Sequence, residues 1–370
     1  MSRSEAGAAV RRTRVLVVDD SAFMRRLVSD VIAESGDFDV VGTARDGVHA
    51  LAQVRALDPD IVTLDVDMPG QDGLSALQEI MAALPRPVVM LSAGGADGGV
   101  EATLRALELG AVEFVRKPAG AISLDLDAVR DQLLDALRAA ACTNRDTLRD
   151  SLRQRRAAGR VDIAAPVRTA TVGGPTPTTV HASHVVCVAA STGGPAALAR
   201  VIPRLARHPQ VAYCVVQHMP AGFTRSLASR LDGASALTVR EARHGEPLLG
   251  GHVYLAPGGQ HLRVVRIDGV ACCALDETAP LWGVRPAADH LFTSAAAIFG
   301  AACTGVVLTG MGCDGADGLF AVRHAGGRGI VQDAPTSVVA GMPMAALRHA
   351  GADAVAPVDE VADAIMAVLP

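Results

Sequence analysis

The chain has 370 residues, half of them apolar, with 34 basic against 39 acidic side chains and a net charge of −5. That length and apolar content provide for two sizeable cores, and the mild acidity excludes a general affinity for nucleic acid or an anionic membrane. No apolar run reaches membrane-spanning length, and the opening MSRSEAGAAVRRTR lacks the apolar stretch of a secretory leader. Seven cysteines, at 142, 187, 214, 272, 273, 303 and 313, form no C-x-x-C pair. They read as reduced thiols and not as a disulfide frame or zinc site, so a cytoplasmic protein is expected.

Residues 14–141 alternate short apolar runs with amphipathic segments. The runs are RVLVV (14–18), DVVGT (39–43), DIVTL (60–64), PVVML (87–91) and VEFV (112–115). Helical spacing lies between them, as in Phe23, Leu27, Val31 and in Leu51, Val54, Leu57. Five such units predict a doubly wound parallel sheet, whose sites form beyond the carboxyl ends of the strands. The residues following those ends are Asp19-Asp20, Asp65, Ser92 and Lys117-Pro118. Clustered carboxylates repel unless a hard divalent cation joins them, and oxygen ligands suit Mg²⁺. A carboxylate nucleophile, a metal, a hydroxyl and a lysine are the parts for forming an acyl phosphate. Lys117 is the single lysine among 33 arginines, which favours a specific role over a solvated charge. The plainer alternative is that Asp19 and Asp20 only cap the helix starting at Ser21.

VVDDSAFMRRL, LDVDMPGQDGL and FVRKP resemble the two-component receiver domain, with a flavodoxin-like fold expected over residues 12–141. The resemblance implies Asp65 as phosphoacceptor, Asp19, Asp20 and Asp65 as Mg²⁺ ligands, and Ser92, Phe114 and Lys117 as the switch positions. Receivers of the chemotaxis methylesterase kind usually carry glutamate where this chain has Asp67, a mild departure.

Residues 142–183 carry seven arginines against three aspartates and end in the loop composition TATVGGPTPTT. They read as a linker, a charged helical extension followed by a flexible tether.

A second alternation fills residues 184–370, beginning with VVCVAA (185–190), VAYCVVQ (211–217) and GVVLTG (305–310). Between the last two lies a β-rich patch, LTVREA, GHVYLAP, HLRVVR and VACCAL, and RGIVQ and DAVAPVD follow later. The class is again α/β with a mostly parallel sheet and a small antiparallel β insertion. After the first strand, Ser191-Thr192-Gly193-Gly194 turns into a helix whose first turn accepts Pro195. Such a turn presents a hydroxyl and helix-start amides at the sheet edge, resembling the G-x-S-x-G nucleophile elbow except that Ala189 replaces the first glycine. By itself it reads equally as a phosphate-cradling loop. The second strand ends at Gln217-His218 and the third runs into Gly310-Met311-Gly312-Cys313-Asp314-Gly315. Serine, imidazole and carboxylate then share one edge, the arrangement in which a base takes the serine proton and an acid orients the base. Asp317 is the alternative third member. Thr192, Met311 and Gly312 are the oxyanion-donor candidates. His208, His244, His252, His261, His324 and His349 read as solvated or incidental.

ASTGGP, QHMPAGFTRSLASRL, YLAPGGQH, VRPAADHLFTS and LTGMGCDGADGL resemble the catalytic domain of the chemotaxis protein-glutamate methylesterase family, CheB. The resemblance implies Ser191 as nucleophile, His218 as base and Asp314 as its orienter, with no cofactor for the esterase. It further implies methylated glutamates on methyl-accepting chemoreceptors as substrate, with glutamine deamidation as a second activity. A chemotaxis-type histidine kinase would be the phosphodonor. The expectation is a monomeric cytoplasmic enzyme without nucleic acid or membrane insertion, whose receiver packs over the Ser191 edge until Asp65 is phosphorylated. The rival is a response regulator whose second domain only binds an anion or nucleotide. A transcription factor is disfavoured by 13 arginines against 14 acidic residues over 184–370, with no basic recognition helix.

Overall fold

The computed structural model describes residues 11–92, 96–117, 126–143, 145, 148, 149 and 180–370, and the chain divides into two compact units. The charged extension and tether read over 142–183 fall almost wholly outside the described residues.

In the first unit the five apolar runs become β1 (Thr13–Val18), β2 (Phe38–Ala44), β3 (Ile61–Asp65), β4 (Val88–Ser92) and β5 (Glu113–Arg116). All are parallel, in the order β2-β1-β3-β4-β5. The order reverses between β1 and β3, so a crevice opens beyond their carboxyl ends. Helices α1 (Ala22–Glu34), α2 (Gly47–Leu57) and α3 (Gly73–Ala83) start where a short polar side chain meets an unpaired amide. Ser21, Asp46 and Asp72 accept from the amides of Met24, His49 and Ser75. In sequence α4 (Ala96–Leu109) joins β4 to β5, and α5 (Leu126–Ala141) follows β5.

The second unit holds β6 (His184–Ala190), β7 (Val211–Gln217), β8 (Thr238–Glu241), β9 (His252–Leu255), β10 (His261–Ile267), β11 (Val270–Asp276), β12 (Cys303–Val307), β13 (Arg328–Gln332) and β14 (Ala354–Ala356). Its helices are α6 (Gly194–Val201), α7 (Phe223–Ala234), α8 (Ala288–Phe299), α9 (Ala316–His324), α10 (Gly341–Ala350) and α11 (Val361–Val368). Seven strands form one parallel sheet, β14-β13-β12-β6-β7-β9-β8. The chain fills one side from β6 to β9 and then returns to fill the other from β12 to β14. The reversal falls between β6 and β12, which sets the crevice at the end of β6.

Every residue of β6 after His184 is buried, as a parallel strand covered on both faces requires. Val185, Cys187 and Ala189 share a core cluster with Leu291, Phe292 and Ala295 of α8 and Leu319 and Val322 of α9. Six of the seven cysteines are buried or half-buried and all are free, Cys142 alone being exposed.

Several sequence expectations are refined. Of the four runs in the β-rich patch, two (β8 and β9) extend the main parallel sheet, and only β10 and β11 pair as an antiparallel hairpin. The strand read over 305–310 ends at Val307. Beyond it the Thr309 amide turns to Gln332 Oε1 and the Gly310 amide to the Val339 carbonyl, so the backbone leaves the β13 side of the ladder, while the Leu308 amide still donates to the Ala189 carbonyl on the β6 side. His261 is not incidental. It is fully buried, Nδ1 accepting from the Ala287 amide (3.1 Å) and Nε2 facing the Ala279 carbonyl (3.2 Å). Ala189 poses no difficulty, because it is an ordinary strand residue paired with Val216 and Val307, and the chain turns only after Ala190.

Phe292 is fully buried at the α8 contact with β6 and α9. Phe292→Ala should cost about 3–5 kcal/mol of the second unit's stability by leaving a cavity, measured as a shift in urea unfolding.

Candidate active site

The first unit gathers its acids at the ends of β1 and β3. Asp19, Asp20 and Asp65 each offer a carboxylate oxygen within 4.8 Å of the others, Asp19 and Asp65 being buried and Asp20 exposed. Asp19 Oδ1 accepts from the Ser21 amide (2.9 Å), so Asp19 does help fix the start of α1. Its other oxygen faces Lys117 Nζ at 2.7 Å, and Asp65 Oδ2 meets the same nitrogen at 2.7 Å. Burial pushes the Asp65 carboxyl up to about 6 against the opposing pull of Lys117. Burial would lower Lys117, but its bonds to Asp19 and Asp65 outweigh that and raise it. Ser92 at the end of β4 is buried, and its hydroxyl has no hydrogen-bond partner among the described residues. The Ser92 carbonyl receives the Lys117 amide at 2.7 Å, which ties the lysine to the serine's strand. Phe114 sits one strand further on, paired with Met90 and almost wholly buried. The Asp67 amide donates to Asp65 Oδ1 (3.2 Å). An all-carboxylate set, one member open to solvent, fits a hard divalent cation that keeps part of its own hydration.

The second unit builds its site on the three adjacent strands β12, β6 and β7. The register of β6 on β7 ends at Ala190 and Gln217, so Ser191 and His218 leave the sheet side by side, and the His218 amide still donates to the Ala190 carbonyl at 3.1 Å. On the other flank the Ser191 amide donates to Thr309 O (3.0 Å). The loop after β12 comes so close that a methyl at Gly310 would sit 2.7 Å from Ser191 Cβ.

Asp314, 1% exposed, lies further along that loop. Its Oδ2 meets His218 Nε2 at 2.7 Å and accepts from the Ala288 amide at 2.6 Å, while Oδ1 accepts from the Asp289 amide at 3.0 Å. Burial alone would raise this carboxyl, but the bond to His218 and the two amides outweigh it and hold it below the usual carboxylate range. An ionised carboxylate can only accept, so His218 Nε2 carries the proton and Nδ1 is left as the basic nitrogen. Among the described residues no hydrogen bond joins Ser191 Oγ to the imidazole, so the acid end of the relay is made and the serine end is open. Asp317, the alternative acid, instead pairs with His349 Nε2 (3.1 Å) at an exposed position.

The amides of Met311 and Gly312 bond to no other group among the described residues, and Met311 is exposed. Thr192 is buried, its carbonyl taken by Thr309 Oγ1 at 2.9 Å. Three residues that the sequence did not single out complete the frame. Gln217 is buried and donates through Nε2 to the carbonyls of Ser191 (2.9 Å) and His218 (3.2 Å). Asp289 accepts from the amides of Gly315 and Gly318, and Trp282 Nε1 donates to it. A polar residue ending a buried strand was the one available signal for Gln217. Asp289 lay within the VRPAADHLFTS motif without a role of its own, and Trp282 had no signal.

Residues 186–365 match the family described as CheB methylesterase, and residues 15–127 match the response regulator receiver domain. A protein-glutamate methylesterase/protein-glutamine glutaminase of Symbiobacterium thermophilum is 46% identical over 358 residues, covering 96% of this chain and 96% of that one. The protein of the same name from Pyrococcus abyssi is 41% identical over 356 residues, covering 96% and 93%. Among solved structures, the catalytic domain of the Thermotoga maritima CheB methylesterase is 41% identical, with a TM-score of 0.49, and covers 51% of this chain and 100% of that one.

A Cβ at Gly194 would overlap Gln217 Oε1 and lie 2.9 Å from Ala190 Cβ. Gly194→Ala should therefore displace Gln217 from the Ser191 carbonyl, lowering stability by about 1–3 kcal/mol together with the reactivity of Ser191, as read by thermal melting and by labelling with a serine-directed phosphonate.

Proposed function

The chain belongs to the CheB methylesterase family and carries a response regulator receiver domain, and on that premise we propose that it hydrolyses glutamate methyl esters on chemoreceptors, with Ser191, His218 and Asp314 as its catalytic residues. The observation that carries this reading is the ionised Asp314 bonded to His218 Nε2, which leaves Nδ1 free to take a proton at the strand end next to Ser191.

Ser191 Oγ attacks the ester carbonyl as His218 Nδ1 takes its proton. The carbonyl oxygen becomes an oxyanion, which the unbonded amides of Met311 and Gly312 suit, with the Thr192 amide as the third candidate. Collapse of the adduct breaks the bond to the methoxy oxygen, and His218 returns the proton to release methanol. Water then attacks the acyl-serine, His218 again moving the proton, and glutamate and free Ser191 result. A glutamine side chain follows the same course with ammonia leaving, which accounts for the glutaminase half of the relatives' name. The anion-loop alternative uses neither His218 nor Asp314 and leaves their 2.7 Å contact without a purpose.

The receiver supplies the control. Asp65 is the phosphoacceptor, and Asp19, Asp20 and Asp65 would hold Mg²⁺, which neutralises charge on the transferring phosphoryl oxygens when bound. Lys117 meets a phosphoryl oxygen as a point charge, and the Ser92 hydroxyl, which has no partner among the described residues, donates to another. Phosphorylation by a chemotaxis-type histidine kinase raises the esterase rate through differential contacts in the phosphorylated state, Phe114 and Ser92 being the switch positions. The domain bounds that fit this reading are 12–141 for the receiver, 142–183 for the linker and 184–370 for the esterase. Seven free thiols suit a cytoplasmic setting.

Methanol release from methylated receptor membranes, with and without a small acyl phosphate, tests the reading. Ser191→Ala should abolish release while leaving acyl-phosphate formation at Asp65 intact, and Asp65→Asn should lose only the stimulation. Asp314→Asn, which presents a donor to the imidazole and favours the wrong tautomer, should slow turnover by about 10⁴-fold. Normal turnover by Ser191→Ala would sink the mechanism.

A further inference from the structure

Helices α8 and α9 both begin in the interior, and neither is capped by a side chain of its own flanking residue. Each is capped instead by an aspartate at or just before the start of the other. The Asp314 carboxylate, one residue before the Gly315 cap of α9, takes the first two amides of α8 from Ala288 and Asp289. Asp289 Oδ1 returns the arrangement, accepting from the amides of Gly315 (2.9 Å) and Gly318 (2.7 Å) at the start of α9. Its second oxygen accepts from the indole of Trp282 at 2.8 Å. Trp282 is the chain's single tryptophan and is 54% exposed, whereas Asp289 is 5% exposed.

We infer that Asp289 is a positioning residue of the esterase: it clamps the loop that carries Asp314, and so the distance and direction of the carboxylate that orients His218, and it tethers Trp282 to the same clamp. The inference rests on the catalytic reading of Ser191, His218 and Asp314. Asp314 can serve His218 only while its backbone is held, and the amide immediately after it is the one Asp289 takes. Burial and then the Asp314 charge push the Asp289 carboxyl up to about 6, with Asp317 adding to the repulsion. The clamp itself is geometric: the two oxygens of Asp289 reach both glycine amides and the indole at once. Trp282 thereby presents an anchored aromatic face to solvent from the same carboxylate that holds the Asp314 loop.

Full-length wild type, Asp289→Ala and Asp289→Asn are labelled with a biotinylated fluorophosphonate over a concentration series, with Ser191→Ala as the blank, and Trp282 emission is recorded for each. Asp289→Ala frees the loop. It should lower the maximal labelling rate about 10²-fold, as a displacement of order one ångström does, without changing the half-saturating probe concentration. Asparagine keeps an oxygen for both glycine amides, so Asp289→Asn should hold the rate within about tenfold of wild type. Its NH₂ group then faces the indole N–H, so Trp282 emission should shift in both variants. A wild-type rate in Asp289→Ala would overturn the inference. So would an Asp289→Asn rate as low as that of alanine, since charge and not the clamp would then be what matters. Absence of Ser191-dependent labelling in the wild type would instead bring down the catalytic reading itself, which separates the two failures.

Discussion

The second unit depends on one interaction, the acceptance of three hydrogen bonds by the buried Asp314 carboxylate. Two of them come from the amides that open α8 and the third from His218. A helix start offers unpaired amides and the positive end of a dipole, so it stabilises an anion that the interior would otherwise reject. The same bonds therefore cap the start of α8, keep Asp314 ionised and decide which nitrogen of His218 carries the proton. Packing and acid–base chemistry are one arrangement there, and Asp289 repeats it in the opposite direction at the start of α9.

The two units solve the problem of buried acids differently. In the first, Asp19 and Asp65 each give one oxygen to a backbone amide and share a single cation at the other, with Lys117 Nζ 2.7 Å from each. A point charge neutralises without fixing direction, and Asp20 remains open to solvent beside it, so the cluster can still take up a metal and a phosphoryl group. In the second, Asp314 has no cation of that kind beside it among the described residues and is held by two amides and the His218 imidazole. The first arrangement suits a group that must be modified and released. The second suits one that must stay where it is through every turnover.

Around Ser191 the backbone is held by side chains that make no contact with the reacting atoms. Gln217 donates to the Ser191 carbonyl, and Thr309 Oγ1 donates to the Thr192 carbonyl and accepts from the Val339 amide while the Thr309 amide goes to Gln332. Each of these polar side chains is buried: Thr309 ties the turn between β6 and α6 to the loop after β12, Gln217 ties that turn to the end of β7, and Gln332 ties the loop to the end of β13. A strand-to-helix turn without such support would move by more than catalysis tolerates.

The amino-acid sequence determined the strands and the residues that end them. A parallel strand buried on both faces must be a continuous apolar run, and a polar residue stops it, so Asp19, Asp20, Asp65, Ser191 and His218 stand out in the chain itself. Asp314 was legible for the same reason, through the glycine-rich stretch that follows a strand. The tertiary structure alone decided which strands of the β-rich patch join the main sheet, that His261 is buried between Ala279 and Ala287, and that Gln217 and Asp289 brace the site. Asp289 reads locally as an acid in the first turn of a helix, a common solvated position. Its partners Gly315 and Gly318 lie 26 and 29 positions away, and no local pattern encodes a bond across that separation. Periodicity reports which face of an element is covered, and only the packed fold reports what covers it.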